Sequence, residues 1–245
     1  MAYPRILAVA SAKGGVGKTT TALNLGVALT NCGKEVIVVD GNLQNPNVGV
    51  HLGALQVPVH VNHVLAGHRH IGDAVYQHKS GLKVVPASLL LSDRDVSTQQ
   101  MYSHVRQLQA DCVVLDVASG FHEQNLQVLR AADEVLLVTN PEWPALTDAL
   151  KTLQMLRSLN VPCRGVVINK SGSEHDLSAA QIEDFLQVKV LAVVPFDDEM
   201  RFSLRQKEPL LSLLPAAPAA IAFQDLAHHL TGTQRVKKKK FLGLF

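Results

Sequence analysis

Two lysines, two threonines and three glycines fall within one eight-residue stretch, Lys13-Gly14-Gly15-Val16-Gly17-Lys18-Thr19-Thr20. Those residue types suit phosphate chemistry. A glycine-rich turn lets successive backbone N–H groups converge on anionic oxygens, and a helix that starts there adds a favourable dipole. Lys18 has the reach to meet the β- and γ-phosphates of a nucleotide, and the Thr19 hydroxyl is placed to sit on Mg²⁺. The strict pattern GxxxxGK[ST] is not met, because Ala12 stands where its first glycine would be.

Such a loop works only between a strand and a helix, and the flanking sequence supplies both. Continuously apolar runs at 6–10, 36–40, 82–86, 112–116, 135–139, 165–169 and 190–195 read as strands buried on both faces. Helical patterns fall at 18–32, 97–109, 124–131, 142–159, 178–187 and 217–230. The alternation predicts an α/β fold, a doubly wound and mostly parallel sheet of seven or eight strands flanked by helices. Ligands of such sheets bind at strand C-terminal ends. The polar turns at 13–20, 40–47, 116–120, 140–141, 169–170 and 195–198 are therefore expected on one rim.

The second lysine of the loop, Lys13, gives it a particular form. The whole stretch resembles the deviant phosphate loop of the MinD/ParA class of ATPases. Asp40-Gly41-Asn42-Leu43-Gln44, Asp116-Val117-Ala118-Ser119-Gly120, Thr139-Asn140-Pro141-Glu142, Val167-Ile168-Asn169-Lys170 and Val194-Pro195-Phe196-Asp197 are similar to further motifs of that class. The stretch from Asn42 through Pro46-Asn47 to His51-Leu52-Gly53 is most similar to archaeal MinD-like proteins.

The resemblance implies ATP/ADP and Mg²⁺ as cofactors. It implies that Lys13 crosses to the nucleotide of a second copy, making a homodimer when ATP is bound. It places Asp40 and Asp116 with Thr19 on Mg²⁺ or its waters, Asn169 on the adenine edge, and Pro195, Phe196 and Asp197 around the base. Asp148 matches a position near the dimer interface. Many relatives carry a second aspartate where this chain has Asn42. An amide orients water but accepts no proton at neutral pH, and a glutamine does that orienting in Ras-like enzymes. Slow, partner-stimulated hydrolysis is therefore expected.

The chain divides into residues 1–231, the ATPase domain, and a tail at 232–245. The tail holds Arg235, Lys237, Lys238, Lys239 and Lys240 and no acid. Without them 18 basic residues face 21 acidic ones, so a body of net −3 carries a basic tail within a chain of net +2. At roughly 100° per residue, Phe241, Leu242, Leu244 and Phe245 fall within about 160° of helical arc. Lysines followed by a Phe/Leu face read as an interfacial anchor for an anionic membrane, and the tail resembles the membrane-targeting helix of MinD. The expectation is a peripheral ATPase that cycles between the cytosol and the inner face of the cell membrane. It would position machinery such as the division site, with a protein regulator or cargo.

Other classes are less well supported. A ParA-like DNA-partitioning ATPase calls for a basic body, and aromatics at 4% leave few base-stacking platforms. An ATP-loaded scaffold with little hydrolysis draws on Asn42. An iron–sulfur carrier calls for paired cysteines, whereas Cys32, Cys112 and Cys163 are far apart in sequence and suggest a reduced compartment. The five histidines between 60 and 78 have irregular spacing and read as solvated rather than metal-binding. Trp143 reads as a packing or interface residue, and Ser119 with His122 lacks the elbow of a hydrolase.

Overall fold

The computed structural model describes residues 3–233. The tail residues singled out above, Lys237–Lys240 and Phe241–Phe245, lie outside the described residues. The strands are β1 (Arg5–Ala10), β2 (Val36–Asp40), β3 (Tyr76–Gln77), β4 (Lys83–Val85), β5 (Cys112–Asp116), β6 (Glu134–Thr139), β7 (Cys163–Ser171) and β8 (Val190–Pro195). They form one eight-stranded sheet in the order β3-β4-β2-β5-β1-β6-β7-β8. Every pairing is parallel except that of β3 on β4 at the edge.

The strands are apolar throughout because helices cover both faces. Leu7 and Val9 of β1 point into one core layer, Ile6, Ala8 and Ala10 into the other. The first layer packs against α1 (Lys18–Asn31), α9 (Leu210–Leu213) and α10 (Pro218–Thr231). The second packs against α3 (Val61–Leu65), α4 (Met101–Val105) and α5 (Glu123–Arg130). Further along the sheet, α6 (Trp143–Ser158) and α7 (Ala179–Leu186) bury Leu146, Leu153, Ile182 and Leu186 on β6 and β7. The short α2 (Val48–Leu52) follows β2, and α8 (Glu199–Gln206) follows β8.

Helix boundaries follow local chemistry. Pro218 opens α10, where its missing N–H costs nothing, and Gly232 ends it in the left-handed conformation at φ 69°. Ser178 and Gln181 form a capping box at the start of α7. The helix expected over 97–109 is shorter. The Thr98 hydroxyl donates to the Gln124 carbonyl and the Ser97 hydroxyl accepts from the Gln99 N–H, so side chains compete with helical bonding before Met101.

α10 lies alongside α1 and runs the same way. Its start is held at the strand C-terminal rim, where the Ala219 N–H donates to Asp197 Oδ2 at 3.1 Å. Its end lies beside the end of α1, with His228 Nδ1 3.6 Å from Cys32 Sγ.

Candidate functional site

The turns leaving β1, β2, β5, β7 and β8 line one cavity of about 1110 Å³ at the strand C-terminal rim. Gly14, Gly15, Gly17, Lys18, Thr19 and Thr20 form its floor, and Pro195, Phe196 and Asp197 form one wall. Five of the six turns expected on one rim are therefore together. The sixth lies just behind: Asn140 Nδ2 donates to the Asn169 carbonyl at 2.9 Å.

The loop is held from three sides. Asn169 Nδ2 donates to the Val16 carbonyl at 2.7 Å, and Lys170 Nζ to the Gly15 carbonyl at 2.8 Å. Ala12 N–H donates to Thr152 Oγ1 at 3.1 Å, and the Gly120 N–H donates to the Ala12 carbonyl at 3.1 Å. Gly17 caps α1 in the left-handed region at φ 101°, and a Cβ there would lie 2.1 Å from Asn169 Nδ2. No side chain caps the first turn of α1, so its N–H groups face the cavity as an anion site.

Lys18 is half-buried, and its Nζ donates to the Lys13 carbonyl at 3.2 Å. Burial lowers its pKa and the Asp116 carboxylate raises it. Asp116 is buried at the end of β5. Its Oδ2 accepts from the Thr19 hydroxyl at 2.6 Å, and its Oδ1 is buried with no partner. Asp40, opposite it at the end of β2, is fully buried. Asp40 Oδ1 accepts from the Asn42 N–H at 3.1 Å, and Oδ2 from the N–H groups of Asn47 and Val48 at 3.0 Å each. Burial, and for Asp40 the neighbouring Asp116, push both carboxyls well above the usual carboxylate range. Two desolvated acids beside a hydroxyl, one oxygen unpaired, make a donor set that fits a hard cation such as Mg²⁺.

Other expected residues have specific placements. Lys13 Nζ pairs with Glu142 Oε1 of its own chain at 2.5 Å, on the half-exposed edge of the site. Asn42 Oδ1 accepts from the Asn45 N–H at 3.1 Å, turned into its own loop. Asp197 caps backbone N–H groups of Glu199 and Ala219, and Phe196 is exposed at the cavity wall. Asp148 pairs with Lys151 along α6 at 3.2 Å. Trp143 is exposed and makes an edge contact with Phe185, ring centroids 5.4 Å apart.

Two features escape the sequence reading. Thr152 and Asn125 brace the site, Asn125 Nδ2 donating to the carbonyls of Ser119 and Gly120 at 2.9 and 3.2 Å, yet neither stands in a motif. His60, expected to be solvated, is buried, stacked on His63 at 3.7 Å and 3.3 Å from Asp93. Among the described residues no group of three His, Cys, Asp or Glu side chains is arranged for a metal.

A phosphate loop feeding a helix at the rim of a doubly wound sheet, with acids at the ends of β2 and β5, defines a P-loop NTPase. Residues 3–231 match the ParA family model, described as the NUBPL iron-transfer P-loop NTPase, and the chain belongs to this ParA/MinD family. It is 34% identical over 241 residues to an ATP-binding protein of Methanocaldococcus jannaschii, covering 96% of this chain and 91% of that one. It is 32% identical to the septum site-determining protein MinD of Synechocystis, over 93% of this chain and 90% of the relative. The solved structure of MinD with Mg-ADP from Pyrococcus horikoshii superposes with a TM-score of 0.88 at 30% identity, covering 93% and 96% of the two chains. The family's cofactors are ATP or ADP and Mg²⁺.

Proposed function

We propose that this protein is an ATP-dependent dimerising ATPase that attaches reversibly to an anionic membrane and positions cellular machinery such as the division site. One observation carries the reading. Lys18 lines the phosphate cavity, whereas Lys13, five residues earlier in the same loop, lies outside that lining and pairs with the part-exposed Glu142 of its own chain. A second cation on the phosphate loop but outside its own cavity has a natural partner in the nucleotide of another copy, which makes dimerisation depend on that nucleotide.

In this reading the loop N–H groups and the start of α1 take the phosphates with Lys18. Thr19, Asp116 and Asp40 would hold Mg²⁺ or its waters, and the ion would offset the negative charge of the phosphates. Asp40 fixes the loop after β2, and Asn169 holds the cradle in shape beside the base pocket of Pro195–Asp197. Hydrolysis is slow and raised by a partner, because Asn42 is an amide with its oxygen already engaged. That engagement also favours an ATP-loaded scaffold as a second reading.

The tail supplies the membrane contact. Each basic residue near an anionic surface contributes about 1 kcal/mol, and two tails on one dimer gain roughly 10²–10⁴-fold through avidity. The test is co-sedimentation of the full chain, and of a chain ending at residue 234, with phosphatidylserine-containing vesicles and with DNA, each in ATP and ADP. ATP-dependent vesicle binding that disappears with the tail supports the reading. Vesicle binding that survives its removal, or ATP-dependent DNA binding alone, overturns it.

A further inference from the structure

Asn42, the residue expected to orient the attacking water, has its acceptor oxygen committed to the Asn45 N–H. That bond takes one of the two lone pairs of the oxygen and turns the side chain into its own loop, and a water about to attack phosphorus needs an acceptor for its O–H. Another pair of amides borders the same cavity. Gln44, on the loop after β2, donates from Nε2 to Oε1 of Gln124, in the first turn of α5, at 2.8 Å. The two are eighty positions apart and join the loop that leaves β2 to the helix that follows the β5 turn.

Both ends of this clasp are fixed. Asp40 grips the Gln44 loop through three backbone N–H groups. Gln124 is anchored by its carbonyl, which accepts from Thr98 Oγ1 at 3.1 Å, and next to it the buried Asn125 ties α5 to the Ser119–Gly120 turn. The mutual bond uses one N–H of Gln44 and one lone pair of Gln124 Oε1 and sets the plane of both amides. It leaves Gln44 Oε1 as an acceptor and Gln124 Nε2 as a donor.

We propose that the Gln44–Gln124 clasp positions the attacking water for ATP hydrolysis, a role that rests on the hydrolysis reading above. Gln44 Oε1 accepts one water O–H, which turns the oxygen lone pair toward the terminal phosphorus. The water oxygen bonds to that phosphorus as the bond to the leaving diphosphate oxygen breaks. The water's proton ends on the released phosphate. Neither glutamine changes protonation, in keeping with phosphoryl transfer that depends on positioning rather than on a strong base. They are positioning residues.

The experiment is single-turnover hydrolysis with Mg²⁺ and ATP on the full chain, paired with ATP and ADP affinity measured by equilibrium dialysis. Gln44→Ala and Gln124→Ala are each expected to slow hydrolysis about 10- to 100-fold, the cost of misplacing a reactant by about an ångström. Nucleotide affinity stays within about twofold. The double variant is no slower than the worse single one, because the amides act as a unit. Gln124→Glu keeps an acceptor for Gln44 Nε2 and recovers rate relative to Gln124→Ala. Single variants that hydrolyse at the wild-type rate, or that lose nucleotide affinity in proportion to rate, overturn the clasp alone. A wild-type chain that binds ATP and never hydrolyses it overturns the clasp together with the reading beneath it.

Discussion

Replacing Gly17 by alanine tests whether the phosphate loop is held in shape by Asn169. The position adopts φ 101°, and an added Cβ would lie 2.1 Å from Asn169 Nδ2. The backbone conformation alone costs an L-residue about 1–2 kcal/mol. The steric conflict is a second charge on the variant. Asn169 must withdraw, which breaks its 2.7 Å bond to the Val16 carbonyl and leaves buried polar groups unpaired, at about 1–3 kcal/mol. Gly17→Ala should therefore lose about 2–5 kcal/mol in urea unfolding of the apo protein. If half of the lower figure falls on the binding-competent loop shape, ADP affinity drops about fivefold. A double-mutant cycle isolates the contact. In an Asn169→Ala background the Cβ meets no amide, so Gly17→Ala costs only the backbone share, and the coupling energy is about 1–3 kcal/mol. An equal penalty in both backgrounds would refute the latch, and a Gly17→Ala loss under about 0.5 kcal/mol would refute the strain argument as well.

Two further outcomes follow from the charges in the site. Asp40 and Asp116 have carboxyl pKa values raised mainly by burial, whereas in the unfolded chain they ionise near pH 4. The folded state thus binds more protons than the unfolded state. Its contribution is fully present below about pH 4 and is lost as pH rises through the raised folded values. Thermal melts of the apo protein should fall in midpoint from pH 5 toward pH 8, with Mg²⁺ and ADP flattening the slope; an Asp116→Asn variant with an unchanged apo slope would contradict this. Removing the Lys13 partner by Glu142→Gln frees that lysine at little cost, since a part-exposed ion pair contributes about 0–1 kcal/mol. With one such pair in each subunit, ATP-dependent dimerisation by light scattering should strengthen up to about 30-fold, and weaker dimerisation would place Glu142 on the side of assembly instead.

The fold was readable where strands are buried on both faces, because continuous runs such as residues 36–39 have no polar position to blur them. It was least readable between β2 and β5. There α2 and α3 span five residues each, too short for a helical period to emerge, and β3 spans two. In the site, the spacing of glycines and lysines located the loop because backbone conformation and charge leave a compositional trace. Thr152, Asn125 and the Gln44–Gln124 bond left none. Their work depends on long-range pairing, in which a threonine or glutamine looks the same whether it braces a loop or faces solvent. Asn42 was found from its position, but its orientation was not, since an Asx turn depends on where the following backbone N–H points.

The course of α10 has a mechanical implication. Fourteen helical residues span about 21 Å, and they separate Asp197 beside the cavity from the root of the tail at the opposite edge. Docked along α1 over that length, the helix is a strut rather than a hinge. Under the proposed function, a tail mounted at the far end of a strut has the same grip on lipid whichever nucleotide fills the cavity. What the nucleotide changes is how many struts are yoked together. Attachment then behaves as a census of paired copies. Its steepness is set by surface density and the spacing between two roots, with no need for the tail itself to sense ATP.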